Sequence, residues 1–155
     1  MSLGPQTELS REETDAFLGE RETGVLSLAL DNEPYAVPVS YGYDAGARKF
    51  YLRLVSTPES EKRRFLASTP QARLVVYEEE GDVYRSVVVV GRLEEIARDE
   101  LTVEHVEQYG EAKRPLFEIW GQAKRDLDIK LYQLVPEQVT GRRIAVDRGD
   151  DAPKS

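Results

Sequence analysis

The chain has no cysteine, and only one histidine, one methionine and one tryptophan among its 155 residues. Without cysteine there is no disulfide, no thiolate metal ligand and no cysteine nucleophile. The lone histidine, His105, lies among Glu104 and Glu107. It has no second imidazole with which to build a conventional zinc site and reads as a titrating surface group. There is no G-x-S-x-G elbow and no Walker loop, and nothing marks a nucleophile beside the histidine. Long apolar runs are also missing. The longest, Val87 to Val90, ends at Gly91, far short of the ~20 residues that cross a bilayer as a helix. Met1 to Glu8 has neither a basic start nor an apolar core, so no secretory signal is expected, and the cytoplasm is the expected compartment. Positive charge is in deficit: 29 acidic residues face 21 basic ones, for a net charge of −8. Such a surface repels phosphate backbones, so neither nucleic acid nor membrane is an expected partner. Of the basic residues 15 are arginine and 6 are lysine. An acidic, lysine-poor surface suits a halophilic source; an ordinary acidic cytosolic protein is the alternative.

What is present points to one mainly β domain with flanking helices, spanning 1–146 and followed by a polar tail, 147–155. Ser10 with Glu13 three residues on forms a capping box, opening a helix to about Leu18 or Gly19 that buries Phe17 and Leu18. Gly24–Leu30, Tyr35–Tyr43 and Lys49–Val55 then read as strands joined by turn residues, a meander of antiparallel strands. Pro38 cannot donate to a ladder, which places its segment at an edge, a bulge or beside a ligand. Thr57, Pro58 and Glu59 open a second helix that Pro70 stops, with Phe65 and Leu66 as its apolar contacts. Ala72–Glu78 and Val83–Ile96 are two further strands, the latter buried on both faces at Val87–Val90. Arg98–Tyr109 and Pro115–Lys124 have helical patterning, and Leu127–Val135 alternates as a sixth strand. Trp120 reads first as core or dimer interface, with a cover over the edge of a bound planar cofactor as the alternative. Arg142 and Arg143 read as exposed charges near a frayed end, with an anionic substrate as the alternative.

Binding chemistry concentrates between Pro38 and Lys62. A helix amino terminus offers unpaired amides and partial positive charge, which suits a phosphate. Ser60, Lys62 and Arg63 stand near that first turn; Arg53 would point into the same space if it faces inward. Tyr41 and Tyr51 could pack along a planar ligand. By spacing alone, a solvated helix face balanced by Glu59 and Glu61 is the plainer reading.

The order of these features resembles the pyridoxamine 5'-phosphate oxidase-like split-barrel flavoproteins. The matching features are Ala36–Asp44 with its Tyr-Asp end, Phe50-Tyr51, the loop Leu54–Glu59, Ser60-Glu61-Lys62, and Thr69-Pro70. Arg85-Ser86 through Gly91-Arg92 and Leu134-Val135-Pro136-Glu137 complete the match. The resemblance implies a six-stranded antiparallel split β-barrel binding FMN, with sites assembled across a homodimer. It implies that backbone groups of Val37, Pro38, Val39 and Ser40 lie along the isoalloxazine ring. Tyr51 and Arg53 would face the ribityl chain and phosphate, and Ser60 and Lys62 would hold the phosphate. Ser86 would approach from the partner subunit.

The departures narrow the function. Glu61 stands where pyridoxamine oxidases usually place arginine and must turn outward, toward Arg64, to spare the phosphate. Thr140-Gly141-Arg142-Arg143 lacks the aromatic of the family's pyridoxal phosphate site, which argues against pyridoxamine phosphate oxidation. Arg53 replaces a histidine common in the nitroimidazole-reductase-like branch, the nearer relative, and so keeps charge but removes a proton-exchanging imidazole. The expectation is an oxidoreductase passing hydride or electrons from NADH or NADPH to a small acceptor. A flavin carrier or sensor, or a deazaflavin-binding relative, is the alternative.

Overall fold

The computed structural model describes residues 2–56, 61–68, 71–96 and 128–147. Seven strands and two helices run in the order β1 (Ser2–Glu8), α1 (Arg11–Glu20), β2 (Thr23–Leu30), β3 (Glu33–Asp44), β4 (Lys49–Ser56), α2 (Glu61–Ser68), β5 (Gln71–Glu80), β6 (Val83–Ile96) and β7 (Asp128–Asp147). All pairings are antiparallel, in the order β1-β7-β4-β3-β2-β5-β6, and β6 pairs again with β7. That last ladder closes a ring of six strands, with β1 added outside it. The expected split β-barrel is the fold.

The six strands expected from sequence all form, several of them longer than their apolar cores suggested. Asp31 and Asn32 adopt left-handed backbone, with φ of 49° and 65°, and make a two-residue hairpin. Such a turn follows the twist of its flanking strands, so Glu33 and Pro34 join β3 instead of the turn. β7 runs on through Pro136 to Asp147, well past Val135. Proline is tolerated there because a bulge sets Gly91 against Pro136. Only glycine fits at that point, since a Cβ on Gly91 would lie 2.3 Å from the Val135 carbonyl oxygen. β1 was not legible, having no alternation of its own. It forms because the extended β7 offers it residues 142–147. The expected helices within 98–124, with His105 and Trp120, lie outside the described residues, as does the tail beyond Asp147.

Alternation divides the sheet into two faces. Leu26, Leu28, Val39, Tyr41, Phe50, Leu52, Leu54, Leu74, Val76, Val87, Val89 and Leu134 fill the barrel. Each end has a helical plug. At one end α1 carries the predicted capping box, with Ser10 and Glu13 exchanging hydrogen bonds of 2.9 and 3.1 Å. Thr14, Phe17 and Leu18 of α1 are buried, and Gly141 lets Thr14 approach β7 closely. At the other end Phe65 of α2 is fully buried and stacks on Tyr35 at 5.1 Å.

Two tyrosines tie α1 to β3. Tyr41 donates to the Leu18 carbonyl at 2.7 Å, and Tyr43 donates to Asp15 at 2.6 Å. Arg48 stands 3.5 Å from the same carboxylate. Burial first, then the hydrogen bond to Asp15, pushes the Tyr43 phenol from 10.0 up to about 12. Burial raises Tyr41 as well. Because the folded-state value is the higher one, this contribution to stability is complete below about pH 10 and is lost as pH rises toward 12. Urea unfolding across that range should show stability falling with pH, and less steeply in Tyr43→Phe. Identical slopes would mean the tie carries no proton linkage.

Candidate functional site: a fork between two strands

The β3–β4 ladder is short. It joins Tyr41, Gly42, Tyr43 and Asp44 to Leu52, Tyr51, Phe50 and Lys49, and stops there. Beyond Tyr41, toward the α2 end, residues 33–40 pair only with β2. Beyond Leu52, β4 pairs only with β7. The two strands therefore part and leave a fork.

Register explains why the ladder ends. The Tyr41 amide donates to the Glu22 carbonyl at 2.9 Å. Hydrogen-bonded and non-bonded pairs alternate along an antiparallel ladder, so Tyr35, Val37 and Val39 also direct their main chain to β2. Pro34, Ala36, Pro38 and Ser40 direct theirs to the other flank, into the fork. Prolines at two of these four positions remove donors that a continued β3–β4 ladder would need. The chain accepts them because the β2 side never required those donors.

The fork gathers part of the predicted set. Direct cross-strand partners share a face, so Gly42 and Tyr51 lie together on the outer face. Ser40 and Arg53 flank the last pair of the ladder on that same face. Pro38 is exposed two residues further out, while Ser40 and Tyr51 are buried and Arg53 is half-buried. Tyr51 belongs to a second apolar cluster with Ile96 and Leu131, outside the barrel core. Beside it Gln133 donates to Glu94 at 3.0 Å.

Other predicted residues sit elsewhere. The side chains of Val37 and Val39 pack on the barrel core, and their main-chain groups serve β2. Only Pro38 and Ser40 of that quartet can turn main chain toward a ligand in the fork. Tyr41 is core, 2% exposed, and cannot line a ligand site. Ser86 is on the outer face but on β6, which is separated from β3 by β2 and β5. Ser60 and the side chains of Lys62 and Arg63 lie outside the described residues; Lys62 itself is in the first turn of α2. Arg64, toward which Glu61 was expected to turn, pairs with Glu33 at 2.9 Å and covers the Phe65 ring, and the Glu61 side chain lies outside the described residues. Arg142 and Arg143 are no frayed end. They sit inside β7 on opposite faces, Arg142 opposite Ser86 and Arg143 opposite Arg85.

A groove of about 570 Å³ lies at the α1 end, lined by Phe17, Glu20, Glu80, Arg85 and Arg143 among others. Within it Arg85 reaches Glu80, and Arg85 also pairs with Glu78, a carboxylate it shares with Arg21. It contains none of the residues expected to hold FMN, though Arg143, a candidate for an anionic substrate, lines it.

The family model for pyridoxamine 5'-phosphate oxidase matches residues 10–143. The chain belongs to the pyridoxamine 5'-phosphate oxidase family. Among solved structures, an FAD-binding protein from Mesorhizobium loti is 27% identical, with TM-score 0.68 over 93% of this chain and 99% of that one. An FAD-binding protein from Mycobacterium smegmatis is 19% identical, with TM-score 0.62 over 91% and 100%. A Bacteroides thetaiotaomicron protein assigned provisionally to 5-nitroimidazole antibiotic resistance is 16% identical, with TM-score 0.66 over 93% and 92%. The last two likenesses concern the fold alone. No curated protein sequence matches the chain. Among the described residues of this family member, no helix is long and apolar enough to cross a membrane, and no acidic, histidine or cysteine cluster could hold a metal.

The register makes a direct prediction. Pro38→Ala adds an N–H that faces the fork, so stability should change by less than about 1 kcal/mol. Val37→Pro removes an N–H bonded to β2 and should cost roughly 2–4 kcal/mol. Urea unfolding of both variants checks the order; a reversed order would reverse the parity assigned to β3.

Proposed function

We propose that this family member binds FMN in the β3–β4 fork, acts as a homodimer, and passes hydride or electrons from a reduced nicotinamide to a small acceptor. The observation that carries the reading is the fork itself. A flat ring can lie against a strand flank only where no neighbouring strand occupies it, and Pro34 and Pro38 keep that flank open. The residues fit a flavin: Pro38 offers an apolar edge, Ala36 and Ser40 turn main-chain groups to the fork, and Arg53 stands at its apex. The phosphate would dock at the amino end of α2 with Ser60 and Lys62. When bound, the flavin supplies the redox chemistry, and the chain's residues hold it and exclude water.

The dimer is the reading that gives Ser86 the flavin contact that the family resemblance implies. Within one chain three strand spacings, roughly 14 Å, separate β3 from β6, so Ser86 cannot reach a ring in its own fork. It can reach a partner's. Pro38, Val25, Val75, Val88 and Thr140 form an outer-face row across five strands, half-buried apart from the exposed Pro38. Such an apolar stripe suits a second copy of the chain.

FAD in place of FMN is favoured by one observation, the name of the 27%-identical M. loti relative. The purified protein should be yellow, and the mass of the cofactor released on denaturation separates FMN from FAD. A colourless protein that neither flavin reconstitutes would end the proposal. Anaerobic NADH or NADPH should bleach the flavin if the protein is an oxidoreductase; persistent colour would leave a carrier or sensor. Lys62→Ala should weaken FMN by about 1.5–3 kcal/mol, measured by fluorescence titration. Unchanged affinity would remove Lys62 from the site. Val88→Arg should halve the mass seen by light scattering and release flavin together with the partner. An intact, loaded dimer would place the interface elsewhere.

A further inference from the structure

The sheet parts at a second place. β2 and β5 are joined only by Val25, Leu26 and Ser27 against Val75, Leu74 and Arg73. Past that last pair β2 keeps its ladder to β3 as far as Leu30, and β5 keeps its ladder to β6 through Ala72 and Gln71. The cause lies one strand over. Arg73 is level with Val90, and the bulge that sets Gly91 against Pro136 begins at the next residue. A bulge bends its ladder; β5, paired to β6, follows the bend while β2 follows β3. The Gln71 side chain donates to Glu137, the residue that the bulge leaves unpaired, at 3.1 Å and ties β5 to that course.

The parting leaves an outer-face cleft of about 310 Å³. Its walls are Leu28 and Ala29 of β2, Ala72 of β5 and Val90 of β6, with Ser27 and Arg73 at its head and Gln71 at its far end. Leu26, Leu28, Ala72 and Leu74 face the core, so Ser27 and Arg73 share the outer face as direct cross-strand partners. Arg73 is exposed and makes no ion pair among the described residues, and the Ser27 hydroxyl makes no hydrogen bond among them. The charges nearby are engaged: Arg92, opposite Gln71, pairs with Glu94 at 3.4 Å, and Glu137 accepts from Gln71. A guanidinium beside a hydroxyl presents donors suited to an anion. From that pair the cleft runs on for two residues, roughly 7 Å, between small and apolar side chains, room for about five carbons.

We infer that this cleft binds a short aliphatic carboxylate, its charge on Arg73 and Ser27 and its chain along Ala29 and Ala72. A bare inorganic anion would satisfy the head and leave the apolar walls wet; a neutral chain would leave the guanidinium unmet. The β2–β3 hairpin separates this cleft from the fork, so the inference needs neither a bound flavin nor a second copy.

Hexanoate, hexanamide and acetate test it. The first two share a chain and differ in charge, while acetate keeps the charge and loses the chain. In an NMR titration of the protein as purified, hexanoate should move the amide signals of Ser27, Leu28, Ala29, Gln71, Ala72 and Arg73. It should bind about ten-fold tighter than hexanamide and at least ~10-fold tighter than acetate. Arg73→Gln should bring hexanoate and hexanamide together. Ala29→Phe, at an exposed position, fills the cleft and should abolish saturable binding. Arg11→Gln, which removes an exposed cation 3.9 Å from Asp15 on α1, should change neither. Equal affinities for hexanoate and hexanamide, discrimination that survives Arg73→Gln, or shifts centred on other residues overturn the site. So does the absence of any saturable shift in the unaltered protein, and that result leaves the flavin reading standing. Should either variant unfold, the three-ligand comparison and the map of shifted amides in the unaltered protein decide alone.

Discussion

A strand with neighbours on both edges must offer donors on both, and along half of β3 one edge cannot. Pro34 and Pro38 share parity, and that parity faces away from β2. β2 keeps its full ladder while β4 is denied one, so the sheet must part after Tyr41 and Leu52. The rest of the arrangement follows from that parting. β4 turns to β7 for its remaining partners, and α2 fills the barrel end that the divergence would otherwise expose.

Closing such a sheet demands one strand long enough to meet several others. β7 does this with 20 residues, pairing with β4 at its start, β1 at its end and β6 along most of its length. The bulge at Gly91 and Pro136 bends the β6–β7 ladder on the way. The ring leaves little free edge, which limits unwanted strand pairing, although the β2–β5 ladder is also short, joining only Val25, Leu26 and Ser27 to Val75, Leu74 and Arg73. The fork between β3 and β4 is where an external planar group could lie against main chain.

Local chemistry made much of this legible in the sequence. Ser10 and Glu13 announced α1, and the β-branched run Val87–Val90 announced a central strand. Pro38 announced an edge. What stayed hidden depends on partners far away in the chain. The ends of β7 and the existence of β1 are set by each other, and neither has a periodic signal strong enough to stand alone. Face assignments were also out of reach, because a one-residue change in register swaps every side chain between faces. Tyr41 was therefore read as a ligand contact when it is core, and Arg142 and Arg143 were read as a pair when they point oppositely. Parity counted from Pro38 could have separated Val37 and Val39 from Pro38 and Ser40, had the pairing with β2 been assigned first.

Family membership and geometry meet at the fork, and the proposed flavin site stands or falls there. A crystal structure of the protein loaded with FMN tests it most directly. The account predicts the ring against the Pro38–Ser40 flank, its phosphate at the start of α2, and Ser86 of a second copy nearby. A flavin seated in the groove beside α1, or a fork filled by the chain's own side chains, would contradict it.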